Sequence, residues 1–245
     1  MRAQPGSAQD VANNYFDLPV LAAARRFAAS AEFAQSRALL GDVPGGLLLD
    51  YGAGNGIASH AFAARGLTID AVEPDPSAEV GAAAARRLGA EGRLPITVHE
   101  TAALPLPFED DRFGAVYARQ VLHHVPDLGA AMRELARVLR PGGRLLATRE
   151  HVVDDALQLE QFRARHALHA RYGGENAYPL EAYLASFKGA GLRTLRVFGP
   201  TDSAINFFPA PEWQRPLQQV LARVRGALGR PDRTPGRLYS FLLER

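Results

Sequence analysis

Gly52, Gly54 and Gly56 stand on alternate positions directly after the run Leu47-Leu48-Leu49-Asp50-Tyr51, and an alanine-rich segment follows them. Residues of this type at this spacing suit a ligand held by bare backbone. Glycine has no Cβ to keep the ligand away, and a helix N-terminus behind the turn offers N–H groups without partners. Asp50 sits where a carboxylate can hold the turn or reach a cation. Glu73 closes a second apolar stretch, Leu67 to Val72, and Pro74 follows it. An acid at that place can accept hydrogen bonds from both hydroxyls of a ribose. The histidines form a second group. His123 and His124 are adjacent, His151 follows Arg149-Glu150, and His166 and His169 are one helical turn apart. A neutral imidazole can take a hydroxyl proton near neutral pH. His166 and His169 with His151 would offer metal donors, but H-x-x-H is weak as a metal signal, and no metal is expected.

These residues need a scaffold that carries them to one edge. Apolar runs and helical spacings alternate along the chain at 47–51, 57–65, 68–73, 77–88, 95–99, 113–118, 129–139 and 144–149. Such alternation implies a parallel sheet with helices on both faces, and ligands in such folds bind beyond the strands' C-terminal ends. His123 and His124 are expected to end the fourth strand. Side chains alternate along a strand, so at most one of the two is expected to face the site. His151 is expected just beyond the fifth strand. Upstream, Val20 to Leu40 has helical spacing, and Val43-Pro44-Gly45-Gly46 breaks it.

The glycine spacing is G-x-G-x-G, with Ile57 at the next helix position, rather than the G-x-G-x-x-G of dinucleotide-binding turns. With Asp50 before it, this loop resembles motif I of the class I S-adenosylmethionine (SAM)-dependent methyltransferases. Three more blocks carry the resemblance in the family's order: Glu100-Thr101-Ala102-Ala103-Leu104-Pro105 with Phe108, Val121-Leu122-His123-His124-Val125, and Leu139-Arg140-Pro141-Gly142-Gly143. The chain is most similar to the small-molecule, methyltransferase type 11 or ubiquinone-biosynthesis-like group over residues 45–150, and more loosely over Arg237 to Arg245.

The resemblance implies an α/β, Rossmann-like class I methyltransferase fold. Its sheet would be mostly parallel and seven-stranded, with helices on both faces and an antiparallel last strand. Residues 1–44 would form an N-terminal helical segment that closes the site. Residues 45–245 would form the SAM-binding domain, with insertions at 151–178 and 200–236 building the acceptor pocket. A helix near Pro179 to Ala190 and strands near Arg193 to Phe198 and Leu238 to Leu243 complete that topology.

By the same resemblance Gly52, Ala53 and Gly54 face the amino-acid and ribose portions of SAM. Glu73, beside Pro74, takes the ribose hydroxyls. Glu100 accepts from the adenine amino group, and Thr101 offers its backbone N–H to the ring. Arg119 and Gln120 lie beside the methionine end, where Asp50 also reaches. Tyr15 either folds over the cofactor or staples the first helix to the core. His123 borders the acceptor, and His123 or His151 is expected to act as base for a hydroxyl. His166, His169, Tyr172, Glu175, Asn176, Tyr178 and Asn206 are the expected acceptor contacts, because such side chains hydrogen-bond hydroxyl-rich ligands.

The implied activity is methyl transfer from SAM, leaving S-adenosylhomocysteine, to a small polar acceptor such as a hydroxyl of a sugar-like or natural-product molecule. Carbon methylation of a quinone-like ring and a SAM-binding protein without turnover are the alternatives. Composition narrows the remaining classes. The 245 residues are 47% hydrophobic, enough for one α/β domain with additions. With 28 basic residues against 26 acidic and no basic block, nucleic acid is not an expected partner. No apolar run approaches the ~20 residues that span a bilayer, and Met1 to Asp10 has no secretory pattern. Zero cysteines exclude thiolate nucleophiles and disulfides and fit a cytoplasmic enzyme. A monomer or homodimer is expected.

Overall fold

A computed structural model describes residues 18–166, 175–200, 202–206, 220 and 232–245 of the chain. Their strands are β1 (Leu47–Tyr51), β2 (Thr68–Val72), β3 (Ile96–His99), β4 (Phe113–Arg119), β5 (Leu139–Val153), β6 (Tyr178–Pro179), β7 (Arg193–Phe198) and β8 (Arg237–Glu244). The helices are α1 (Val20–Ala28), α2 (Ala31–Leu40), α3 (Ile57–Ala63), α4 (Ala82–Gly92), α5 (Leu128–Val138), α6 (Ala156–Arg165) and α7 (Leu180–Gly189). The sheet order is β3-β2-β1-β4-β5-β8-β7, and β6 pairs with β5 outside that path. Strands β1 to β5 run parallel, and β8 is antiparallel to both β5 and β7.

The expected seven strands are therefore present, and the two-residue β6 adds an eighth. The central strands are buried on both faces, which is why they read as near-continuous apolar runs. One face packs Leu48, Tyr117 and Leu146 with Phe27, Phe33 and Phe62 of the flanking helices. The other packs Leu49, Val116 and Leu145 with Leu135, Phe187 and Phe241.

Local chemistry corrects several expected boundaries. The Val20 to Leu40 segment is two helices, because Ser30 adopts extended backbone and its side chain accepts from Phe33 N–H at 3.1 Å as an N-cap. The helix expected at 77–88 starts only at Ala82. Asp75 organises the preceding turn, accepting from Ser77 N–H through its side chain and from Ala82 N–H through its carbonyl. The fifth strand does not begin at 144 or end at 149. Pairing with β8 carries it on to Val152, past a register shift between Ala147 and Glu150. Arg149 has φ +61 there, as at a bulge that re-aims the side chains beyond it. His151 thus lies within β5. Among the described residues no helix is long and apolar enough to cross a membrane.

Candidate active site

All three loop glycines have positive φ: +73 at Gly52, +54 at Gly54 and +81 at Gly56. They differ in what surrounds them. A Cβ on Gly52 would lie 2.2 Å from Val121 Cγ2, and one on Gly56 would lie 2.8 Å from Ala85 Cβ. Those two glycines let the loop pack tightly. A Cβ on Gly54 would meet nothing nearer than Val80 O at 3.5 Å, so Gly54 presents open backbone. Its N–H donates to Glu73 Oε2 at 2.7 Å, and Asp75 N–H donates to Oε1 at 2.9 Å. Burial raises the Glu73 carboxyl, and these two N–H donors oppose that shift. Gly52 and Ala53 donate to Val72 O, tying the loop to the end of β2.

Asp50 is buried beneath the loop and accepts from Ser59 Oγ of α3 at 2.5 Å. Burial pushes it up to about 6, against the Ser59 hydrogen bonds and Arg119. The open backbone at Gly54, the acid beside it and the carboxylate beneath fit the glycosyl and amino-acid parts of an adenosyl ligand. Pro74 lies exposed next to Glu73. Glu100 is more exposed than Glu73 and pairs with Arg86 at 2.8 Å, and Thr101 Oγ1 accepts from Ala103 N–H. Tyr15 lies outside the described residues.

At the end of β4, Arg119 does not point freely along the edge. Its Nε donates to Glu32 Oε1 of α2 at 2.7 Å and its Nη1 donates to Gln120 Oε1 at 3.0 Å. Gln120 has φ +53. Buried Arg149, within β5, approaches the same Glu32 at 3.8 Å, so β4 and β5 share one acid from the N-terminal helices.

The strand expected to carry His123 and His124 stops at Arg119, and Leu122–His124 is a 3-10 turn. Strand alternation does not apply there. The two rings lie side by side with centroids 4.2 Å apart, and both approach Glu175, His123 Nε2 at 3.9 Å and His124 Nε2 at 3.8 Å. His123 is the buried one.

Beneath His123 lies Glu150, fully buried, which sequence reasoning missed as a site residue. Glu150 Oε1 accepts from Val121 N–H at 3.2 Å, Oε2 accepts from His123 N–H at 3.0 Å, and His123 Nδ1 is 2.6 Å from Oε2. Burial pushes Glu150 up to about 7 and His123 well below the usual imidazole range. The backbone donors favour the carboxylate. In that form Glu150 takes the Nδ1–H and leaves a lone pair on His123 Nε2. Its only sequence signal was an acid in Arg149-Glu150-His151, near the C-terminal end of a strand.

His151 stacks edge-on to His123, with ring centroids 4.8 Å apart. Its Nδ1 donates to Gly236 O at 2.7 Å, and burial lowers it to about 3. His166 follows α6, its ring 5.4 Å from that of His151 and its Nδ1 3.9 Å from Glu175 Oε1. His123, His151 and Glu175 place one donor atom each within 4.8 Å of one another. The remaining expected acceptor contacts are engaged elsewhere or not described. Asn176 Oδ1 accepts from Arg163, and Tyr178 Oη donates to Val125 O at 2.7 Å. Asn206 is buried, donating to Phe198 O and Gly199 O and accepting from Ser240 Oγ. Its amide stitches strand ends together, and this geometry does not support its expected acceptor contact. His169 and Tyr172 lie outside the described residues.

The family description "Methyltransferase domain" matches residues 49–147, the span from β1 into β5. An uncharacterized methyltransferase of Mycobacterium marinum is 32% identical over 181 residues, covering 70% of this chain and 68% of that protein. The chain belongs to the class I SAM-dependent methyltransferases. A demethylmenaquinone methyltransferase of Thermobifida fusca is 40% identical over 102 residues, 42% of each chain. The 27-O-demethylrifamycin SV methyltransferase of Amycolatopsis mediterranei is 28% identical, covering 71% of this chain and 62% of that protein. Over those two relatives the chain spans less than two thirds of their length. Among solved structures, geranyl diphosphate C-methyltransferase of Streptomyces coelicolor A3(2), in complex with Mg2+, geranyl diphosphate and S-adenosyl-L-homocysteine, superimposes with a TM-score of 0.66 at 17% identity. It covers 99% of this chain and 84% of that one, a likeness of fold.

Proposed function

We propose that this protein transfers a methyl group from SAM to a hydroxyl oxygen of a small polar acceptor of the sugar-like or natural-product kind. The observation that carries this reading is Glu150. One buried carboxylate accepts from Val121, whose side chain packs on Gly52 of the loop, and from His123, whose Nε2 faces Glu175. The glycine loop and the imidazole cluster are thereby held side by side.

When bound, SAM supplies a methyl group on a cationic sulfur, and its departing thioether is neutral. The chain's own tasks are alignment and removal of the hydroxyl proton. Gly52, Ala53, Gly54, Glu73 and Asp50 hold the cofactor, with Glu100 and Thr101 at its adenine end. His123, His151 and Glu175 receive the acceptor hydroxyl and withdraw its proton, with the His123 Nε2 lone pair set by Glu150. A quinone-like ring would meet these buried polar groups only through its ring oxygens, away from the carbon to be methylated. A hydroxyl acceptor places the reacting oxygen itself among them. The rifamycin relative, named for an O-methylation, supports the same choice of atom, whereas the demethylmenaquinone relative keeps ring carbon in the test.

The test is transfer of labelled methyl from SAM into a panel of polyhydroxylated natural products, sugars and quinols, with the methylated atom located by mass spectrometry and NMR. Methyl on oxygen is expected, and His123→Ala should lower kcat by ~10²–10⁴-fold with SAM affinity kept. Methyl on ring carbon, or SAM binding with no transfer to any acceptor, overturns the reading.

A further inference from the structure

We infer that His123, His151 and Glu175 form a binding site for a divalent first-row transition-metal ion at the acceptor end. This rests on the reading of that cluster as the place where the acceptor binds. The donor set is two imidazole nitrogens and one carboxylate, the composition of catalytic zinc and non-haem iron sites that keep positions open for substrate.

Two observations support it. Both imidazoles are already oriented as metal ligands are. Each has its Nδ1 held by an oxygen, His123 by Glu150 Oε2 at 2.6 Å and His151 by Gly236 O at 2.7 Å, which leaves Nε2 for the ion. Carboxylate or carbonyl support of that kind fixes the tautomer of ligating histidines. Finally, Glu175 is only 8% exposed, and among the described residues no group donates a hydrogen bond to its carboxylate. Three imidazole nitrogens surround it instead at 3.8–3.9 Å, those of His123, His124 and His166. That is too long for a hydrogen bond and near the separation of two ligands across one ion. A buried carboxylate without hydrogen bonds is costly, and a cation beside it removes the cost. Zinc-type ligand distances of ~2.0–2.2 Å put tetrahedral donors ~3.4 Å apart, so the three donor atoms, which lie within 4.8 Å of one another, must draw inward to hold the ion.

The chemistry follows from the charge. The acceptor hydroxyl enters an open position on the ion, and its pKa falls. Its proton leaves to water, and the oxygen keeps the electron pair that forms the new O–C bond. The methyl–sulfur bond breaks with its pair staying on sulfur. With the ion bound, the imidazoles act as ligands, and the ion-lowered pKa of the hydroxyl replaces the proton withdrawal that these side chains perform without it.

The test titrates chelator-stripped full-length protein with Co2+ alone. One equivalent should bind with visible d–d absorption, Zn2+ should displace it, and equimolar Mg2+ should not. His151→Ala and Glu175→Gln should each weaken binding at least tenfold, and Glu175→Asp should keep part of it. Far-UV circular dichroism and melting establish that the variants fold. Absence of stoichiometric uptake by the wild type, or uptake unchanged in folded His151→Ala and Glu175→Gln, overturns the site. Full-rate hydroxyl methylation by protein that takes up no Co2+ also overturns it and leaves the hydroxyl reading standing. Uptake at the cluster with methyl delivered to carbon supports the site and overturns the hydroxyl reading.

Discussion

Between Asp50 and Glu73 the ligand edge is made of backbone, and between His123 and Glu175 it is made of side chains. The first region is a five-residue turn whose glycines adopt φ values other residues avoid, with two carboxylates clamping it from below and beside. Its contributors lie within 24 residues of sequence, Asp50 to Glu73 inclusive. The second region gathers a 3-10 turn, a bulged strand and the segment after α6, and its donors span residues 123 to 175. A cofactor shared by a family can be held by a local backbone device. An acceptor peculiar to one enzyme needs side chains, and side chains from distant segments meet only when the sheet places them.

The sharpest way to break this contrast is Gly54→Val. The site has room for a Cβ, so the cost of forcing a β-branched residue to φ +54 should fall on the loop, at ~1–2 kcal/mol, without unfolding the domain. The branched side chain fills the space the ligand needs. SAM binding should drop below calorimetric detection in a protein that still melts cooperatively, and unchanged affinity would remove the loop from the site.

Glu150→Gln tests the other region. The amide keeps the shape but loses the charge that orients His123. We expect kcat to fall by ~10–100-fold, the usual cost of losing such support, with SAM affinity within twofold of wild type. A matching loss of SAM affinity would mean that the two regions are not separable.

Asp50 sharpens the first region through pH. Its carboxyl lies at about 6 in the fold against 3.8 when unperturbed. Between those values the folded state binds more protons than the unfolded one. The protein without SAM should therefore lose stability as pH rises through that window. SAM affinity should change the opposite way, weakening as pH falls through about 6, because the ammonium loses its carboxylate. Ser59 donation favours the charged form, so Ser59→Ala should move both transitions to higher pH. Melting curves and calorimetry from pH 4 to 8 measure the two trends, and a flat affinity profile would leave Asp50 a purely structural role.

The smallest effect is expected from Tyr178→Phe. The hydroxyl donates to Val125 O, so its loss should cost about 1 kcal/mol of stability and leave the acceptor KM unchanged. A rise in KM would return Tyr178 to the acceptor contacts that the sequence suggested.

The order of elements, the glycine turn, Asp50 and Glu73 were legible in the sequence, because each follows from neighbouring residues: apolar runs, glycine spacing and an acid at a strand's end. Local rules also produced the errors. Strand alternation separated His123 from His124, but the chain had already turned into a 3-10 helix. Asn206 looked like a polar contact in an aromatic patch, and it is tied into β7 and β8. Glu150 carried almost no signal, although it holds His123 and the turn after β4.

The sequence by itself determined the family, the parallel sheet and the glycine turn with its two acids, since short-range backbone geometry encodes them. Only the tertiary structure decided how the histidine cluster assembles. The pairing of β5 with β8 carries β5 through the bulge at Arg149, which sets Glu150 beneath His123 and His151 beside it. The return of the chain as β6 along β5 brings Glu175 to the same point. Burial then raises the Glu150 carboxyl and lowers the His123 and His151 imidazoles, and burial is a property of the packed molecule that no local stretch of residues contains.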